Sequence, residues 1–132
     1  MKLAPLLLTL SLSTASAQVL SEGSKNLGFG FRQVVREQVN PPRHWEGVGH
    51  FAFFYYKDLE LSQSTNYSIS PDGTHALYQD GPTGDIVLFV ANTEQKSIVH
   101  KFSGTSASGF KWSKSVATVT FDGGQALEVK LP

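Results

Sequence analysis

The sequence predicts an all-β protein, folded as a small antiparallel meander sheet or as a sandwich. Two observations support this prediction. Short runs of β-branched and aromatic residues recur along the chain, and clusters of Gly, Pro, Asn and Asp separate these runs. The sequence lacks the apolar spacing of a long helix, and connections of only a few residues join strands as antiparallel neighbours.

Residues 1–17 match the pattern of a cleavable signal peptide. Lys2 supplies the positive charge, Leu3–Leu12 is mainly apolar, and Ala15–Ala17 ends the segment with the small residues that a signal peptidase accepts. An apolar run of about 10 residues is too short for the roughly 20-residue helix that spans a bilayer. We therefore expect cleavage after Ala17 and one β domain over residues 18–132.

The absence of cysteine from the sequence bears on where the exported domain resides. A bacterial lipoprotein needs a cysteine after its signal peptide, so no lipid anchor is expected. Exported eukaryotic domains of this size usually rely on disulfides, which favours a bacterial origin. We expect a soluble protein in the periplasm or the medium, without membrane insertion.

The first part of the exported chain gives a weaker pattern. Residues 18–28 are mostly polar and predict a flexible lead-in. Phe29–Val39 has apolar residues at both helical and strand spacing, and we favour the strand narrowly. Asn40–Pro42 ends either element, because proline lacks a backbone N–H and restricts the residue before it.

A strongly aromatic strand follows this break. Phe51–Tyr56 is aromatic at every position except Ala52, and Leu59 and Leu61 then alternate with polar residues. Successive strand side chains point to opposite faces, so this run places aromatic rings on both faces. We favour a strand buried on both faces, and the alternative is a strand that offers one aromatic face to a partner.

Short strands and turns alternate through the rest of the chain. The predicted strands are His75–Gln79, Ile86–Ala91, Ser97–Phe102, Phe110–Ser113, Val116–Phe121 and Ala126–Leu131.

The segment Tyr67–Tyr78, with its Ser-Pro-Asp-Gly turn at Ser70–Gly73, resembles the opening hairpin of a TolB-type β-propeller repeat. Gly84–Val90 and Ser97–Phe102 resemble the later strands of the same blade, and Phe110–Leu131 resembles a degenerate second copy. A closed propeller typically needs about 4 to 8 blades. The resemblance therefore implies blade-like hairpins in a smaller open sheet or sandwich, with assembly of several chains as the alternative, and it implies a role as an interaction platform.

The composition and the motifs give little support for catalysis or metal binding. The sequence has 11 basic and 11 acidic residues, and the basic ones are scattered, so nucleic acid and anionic membranes are not expected partners. The spacing of His44, Glu46 and His50 matches no zinc pattern, and Asp80 with Asp85 offers too few ligands for calcium. We predict no catalytic residue, no cofactor and no metal.

The predicted function is therefore recognition. We expect a non-enzymatic binding module, such as an inhibitor, an immunity-type protein or an assembly protein, whose partner is a protein or a polysaccharide and which can form oligomers. The candidate binding residues are Trp45, Tyr55, Tyr56, Lys111 and Trp112. The alternative is a small hydrolase or a carbohydrate-binding accessory domain, which predicts His or acidic residues that converge in a cleft.

Overall fold

The computed structural model describes residues 18–39 and 49–132, and these residues form three antiparallel sheets. The strands are β1 (Gln18–Gly28), β2 (Phe31–Val39), β3 (Gly49–Tyr56), β4 (Leu59–Ser62), β5 (Tyr67–Ile69), β6 (His75–Gln79), β7 (Ile86–Val90), β8 (Gln95–His100), β9 (Ala107–Trp112), β10 (Val116–Phe121) and β11 (Ala126–Lys130). The first sheet contains β1 to β4, the second β5 to β8 and the third β9 to β11, each in chain order. The prediction of an all-β antiparallel meander is confirmed. Within the two described ranges, no helix is long and apolar enough to cross a membrane.

The predicted lead-in, residues 18–28, is the edge strand β1. It pairs with β2 from Gln18 opposite Val39 to Gly28 opposite Phe31. Its side chains from position 19 to position 26 are exposed, so this strand needs no apolar alternation, and backbone hydrogen bonds to β2 hold it in place. The preferred strand interpretation of Phe29–Val39 is confirmed from Phe31 onward, whereas Phe29 lies in the turn between β1 and β2.

The aromatic strand β3 is buried on both faces, as the favoured interpretation predicts. Phe54 and Tyr56 face the second sheet and pack in a cluster with Phe31. Phe53 and Tyr55 face the opposite side and are 7% and 8% exposed. Aromatic side chains thus stabilise both faces of the first sheet.

The three sheets stack face to face, with the second sheet in the middle. Tyr78 and Phe89 of the second sheet join the cluster shared with the first sheet. Leu77 and Leu88 point the other way and join a cluster with Val119 and other residues of the third sheet. Strands β6 and β7 are therefore buried on both faces, which explains their nearly continuous apolar sequences.

The loops at one end of this stack position the cleft described below. The turn between β5 and β6 packs against the turn between β1 and β2, because Phe29 lies directly on Gly73. A Cβ atom at Gly73 would lie 2.1 Å from Cγ of Phe29, and the backbone there has a φ of +75°. Only glycine meets both conditions without strain.

Candidate binding cleft

A cleft of about 390 Å³ lies between the second and third sheets at this end of the stack. One wall is the turn between β5 and β6, and the other comprises the turn between β9 and β10 and the last residues of the chain. The polar and aromatic side chains that line the cleft include Asp72, Thr74, His75, Trp112, Lys114 and Ser115. A concave site with a few convergent polar groups and an aromatic ring is typical of ligand binding.

The turn Ser70–Gly73 fixes the carboxylate of Asp72. Its Oδ1 atom accepts hydrogen bonds from Ser70 Oγ at 2.8 Å, from Thr74 N at 3.1 Å and from Thr74 Oγ1 at 2.7 Å. These bonds, above all the one from the Thr74 hydroxyl, lower the pKa of Asp72 from 3.8 to about 2. Asp72 is therefore an oriented anion at every pH at which the protein is expected to work.

The same turn determines which nitrogen of His75 holds the proton. The Thr74 hydroxyl has one proton, and it donates this proton to Asp72, an ionised acceptor. Its contact with His75 Nδ1 at 2.7 Å therefore has Nδ1–H as the donor. In the neutral imidazole, Nε2 is then an acceptor, and it is buried without a hydrogen-bond partner among residues 18–39 and 49–132.

Trp112 borders the cleft, and its one polar group is already hydrogen-bonded inside the protein. Its indole N–H donates to Ser68 Oγ at 2.8 Å, which ties β9 of the third sheet to β5 of the second. The half-buried ring also packs against the cluster between these sheets. Because its single donor is already used, the ring offers the cleft an apolar π surface.

The two walls of the cleft have opposite charges. Asp72 stands on the second sheet and Lys114 on the third. No ion pair joins them in the part of the chain that the structure describes. The side chains that line the cleft therefore include one anion and one cation, on opposite walls.

A second cavity of about 430 Å³ adjoins the cleft, and we call it the adjoining cavity. His75 and Pro132 line both cavities, so they lie in the wall between them. Tyr56, Val90 and Ala91 are among the other lining residues. The buried Nε2 atom of His75 therefore belongs to a side chain that borders two open volumes.

The candidate residues from the sequence lie in several places. Trp112 lines the cleft, whereas Lys111 is exposed on the opposite face of β9, as neighbouring strand residues must be. Tyr56 lines the adjoining cavity and is 8% exposed. Tyr55 is equally buried, on the outer face of the first sheet, and Trp45 lies outside the described residues.

The two acidic residues considered for calcium have structural hydrogen-bond partners in this fold. Asp80 accepts hydrogen bonds from the hydroxyls of Ser62 and Thr83, and Asp85 accepts from the Phe102 backbone at 2.9 Å. Of the pair His44 and His50, only His50 lies within the described residues, where it is exposed on β3. Across the two described ranges, no three His, Asp or Glu side chains gather as metal ligands.

Sequence reasoning did not single out His75, Thr74 and Lys114 as site residues. The sequence places Asp72 in the Ser70–Gly73 turn, and the structure shows the hydrogen bond to the turn backbone that such an acid makes. One local signal for this group is present in the sequence. Thr74 lies between Asp72 and His75, and a threonine hydroxyl can hydrogen-bond to nearby groups on either side. Lys114 has no local signal, because it meets the others only when two sheets pack.

Comparisons of the chain with protein-family models, with curated proteins and with solved structures find no match. The resemblance of Tyr67–Phe102 to a TolB-type blade stays a prediction. The cleft and its own side chains are therefore the basis for assigning a function.

Proposed function

We propose that the protein is an exported, non-enzymatic binding module that recognises a protein or a polysaccharide outside the cytoplasm through this cleft. The strongest support for the proposal is that hydrogen bonds within the protein already fix several of the side chains that line the cleft. Hydrogen bonds hold Asp72, Thr74 and His75 in one arrangement, and the bond to Ser68 fixes the ring of Trp112. Groups that are already ordered lose little conformational entropy when a ligand binds.

The surroundings of His75 favour binding over hydrolysis. A hydrolase of the Ser-His-acid type needs a nucleophilic hydroxyl within hydrogen-bond reach of the basic nitrogen. In the described part of the chain, no hydroxyl group is hydrogen-bonded to Nε2. Asp72 likewise contacts hydroxyls and a backbone N–H, and not a second carboxyl group. The alternative of a small hydrolase thus lacks a nucleophile at the residue best suited to activate one.

The proposed location rests on the sequence. The signal-peptide pattern of residues 1–17 supports export, and the absence of cysteine supports a bacterial envelope or medium. The resemblance to TolB-type repeats supports a role in recognition, since it implies an interaction platform.

A capture experiment with a blocked cleft tests the proposal. Ser115→Trp places a large side chain in the cleft, and Lys111→Trp places the same side chain on the opposite face of the third sheet. Each tagged protein is incubated with an envelope extract of the producing bacterium, and the retained protein and carbohydrate are identified and quantified. We expect the wild type and Lys111→Trp to retain the same component and Ser115→Trp to lose it. Equal retention by Ser115→Trp, or no specific retention by the wild type, contradicts the proposal.

A further inference from the structure

We infer that the ligand of this cleft is a neutral, hydroxyl-rich saccharide. The inference rests on the proposed function, that the cleft binds a partner, and it selects the class of partner. It follows from the charge of the cleft, from the surface that Trp112 offers and from the hydrogen-bonding groups that remain open.

The opposite charges on the two walls favour a ligand without net charge. Asp72 and Lys114 stand on opposite walls, and their charges sum to zero. An anionic ligand would meet the permanent carboxylate of Asp72, and a cationic ligand would meet the ammonium group of Lys114. A ligand without net charge that carries many hydrogen-bonding groups can instead donate to Asp72 on one wall and accept from Lys114 on the other.

The ring of Trp112 favours a ligand with a flat apolar face. Its N–H is occupied by Ser68, so the ring contributes dispersion and π contacts. A pyranose ring has such faces, because its axial C–H groups project above and below the ring while most of its hydroxyl groups lie around the edge. Stacking on an indole buries the C–H face and leaves the hydroxyl groups free for the walls.

The open polar groups of the cleft match those hydroxyl groups. The three hydrogen bonds to Asp72 all reach Oδ1, so Oδ2 of this exposed carboxylate is available to accept. The hydroxyl of Ser115 has no hydrogen bond within residues 18–39 and 49–132, and the ammonium group of Lys114 is exposed. A sugar hydroxyl both donates and accepts, and it can therefore pair with all three groups.

Fluorescence of a single tryptophan tests the inference directly. The sequence has two tryptophans, so Trp45→Phe leaves Trp112 as the only one. This variant is titrated with hexasaccharides of glucose, N-acetylglucosamine, mannose and galactose, with a hexamer of galacturonic acid and with tri-alanine. We expect a saturable change in emission with at least one neutral hexasaccharide, and none with the uronate or the peptide.

Calorimetry with unlabelled variants locates the binding. With the hexasaccharide that binds, Trp112→Leu should lower affinity at least about tenfold, since buried tryptophans dominate many interfaces. Lys111→Ala, on the opposite face, should leave affinity within about twofold. Trp112→Phe should retain more affinity than Trp112→Leu, because it keeps an aromatic face.

The outcomes separate this inference from the proposed function. No binding of any neutral hexasaccharide overturns the saccharide inference, and the capture experiment then decides the function alone. Binding of tri-alanine or of the uronate that Ser115→Trp abolishes also overturns the inference, but it supports the cleft as a binding site. Hexasaccharide binding that Ser115→Trp leaves unchanged contradicts both.

Discussion

The imidazole of His75 lies one hydroxyl group away from the carboxylate of Asp72. Thr74 Oγ1 donates to Asp72 at 2.7 Å and accepts from His75 Nδ1 at 2.7 Å. A hydroxyl has one proton, so an ionised acceptor at one end requires a donor at the other. The tautomer of the half-buried His75 is therefore set by an exposed acid with which it makes no direct contact.

This relay predicts the tautomer of His75. When the imidazole is neutral, the proton should lie on Nδ1, and Thr74→Val should weaken that preference because it removes the acceptor. Nitrogen-15 NMR of the histidine side chains distinguishes the two tautomers. The exposed His50 serves as an internal control whose signals should not change in the variant. A wild-type protein with the proton on Nε2 would contradict the assignment.

The lowered pKa of Asp72 predicts a dependence of stability on pH. The pKa falls from 3.8 in the unfolded chain to about 2 in the folded protein. The stabilisation is therefore complete above the unfolded value and is lost as the pH falls through the folded value. Asp72→Asn should lower the free energy of unfolding at neutral pH, and the difference from wild type should shrink between pH 3.8 and about 2. Urea denaturation at several pH values measures this difference, and one that stays constant down to pH 2 would refute the prediction.

Strand β3 is apolar on both faces, but the two faces are covered in different ways. On the inner face, the ring of Phe54 stacks on Tyr67 with the ring centroids 4.2 Å apart. On the outer face, the guanidinium group of Arg36 lies 4.5 Å from the ring centroid of Phe53, and that of Arg32 lies 4.6 Å from the centroid of Tyr55. The outer aromatic residues are thus covered by cations whose charged ends remain near water.

Truncation of Phe54 should therefore be costly. Its side chain is fully buried, and Phe54→Ala should lower the free energy of unfolding by about 3–5 kcal/mol, the range for loss of a core aromatic ring. Phe102→Ala is a matched control, since Phe102 is 49% exposed, and it should cost less than about 1 kcal/mol. Urea denaturation of both variants gives the comparison. If both variants lost the same free energy of unfolding, β3 would not be part of the core.

The turn between β5 and β6 depends on Gly73. Gly73→Ala should destabilise the protein by more than about 1–2 kcal/mol, the cost of a left-handed backbone for a residue with a Cβ atom, because the new methyl group also meets Phe29. Adding Phe29→Ala should recover only the part due to the clash. Gly23→Ala is the control, because a Cβ atom there contacts nothing within 4 Å. Thermal unfolding of the variants checks the order, and a Gly73→Ala protein as stable as Gly23→Ala would contradict it.

The whole molecule is a stack of three sheets in chain order, with the second sheet between the other two. The second sheet contributes to both apolar clusters, so its loss would expose both. The outer face of the third sheet is polar, since the residues of β10 that point away from its cluster include Thr118 and Thr120. The stack therefore ends on this side at a face suited to water.

The signal-peptide prediction concerns the whole chain, and it gives an expected mass for the mature protein. Removal of residues 1–17 should leave a protein that begins at Gln18, the first residue of β1. Intact mass and N-terminal sequencing of the exported form measure this directly. A variant in which Ala15 and Ala17 are replaced by Arg should accumulate uncleaved. A mature wild-type protein that retains Met1 would refute the signal-peptide prediction.

The sequence alone predicts the class of the fold, most strand positions and the turns, because these depend on alternation and on residues such as Gly73 that act within a few positions. The sequence does not predict that β1 is a strand. Its polar side chains are exposed, and backbone hydrogen bonds to β2 hold it in place. The candidate site follows from tertiary packing and not from local sequence. Trp112 bonds to Ser68 across 44 positions of the chain, and it shares a cleft with His75 because the second and third sheets pack face to face. Such packing depends on apolar contacts summed over whole sheet faces. A local sequence pattern therefore does not predict that the β5–β6 turn and the β9–β10 turn line the same cleft.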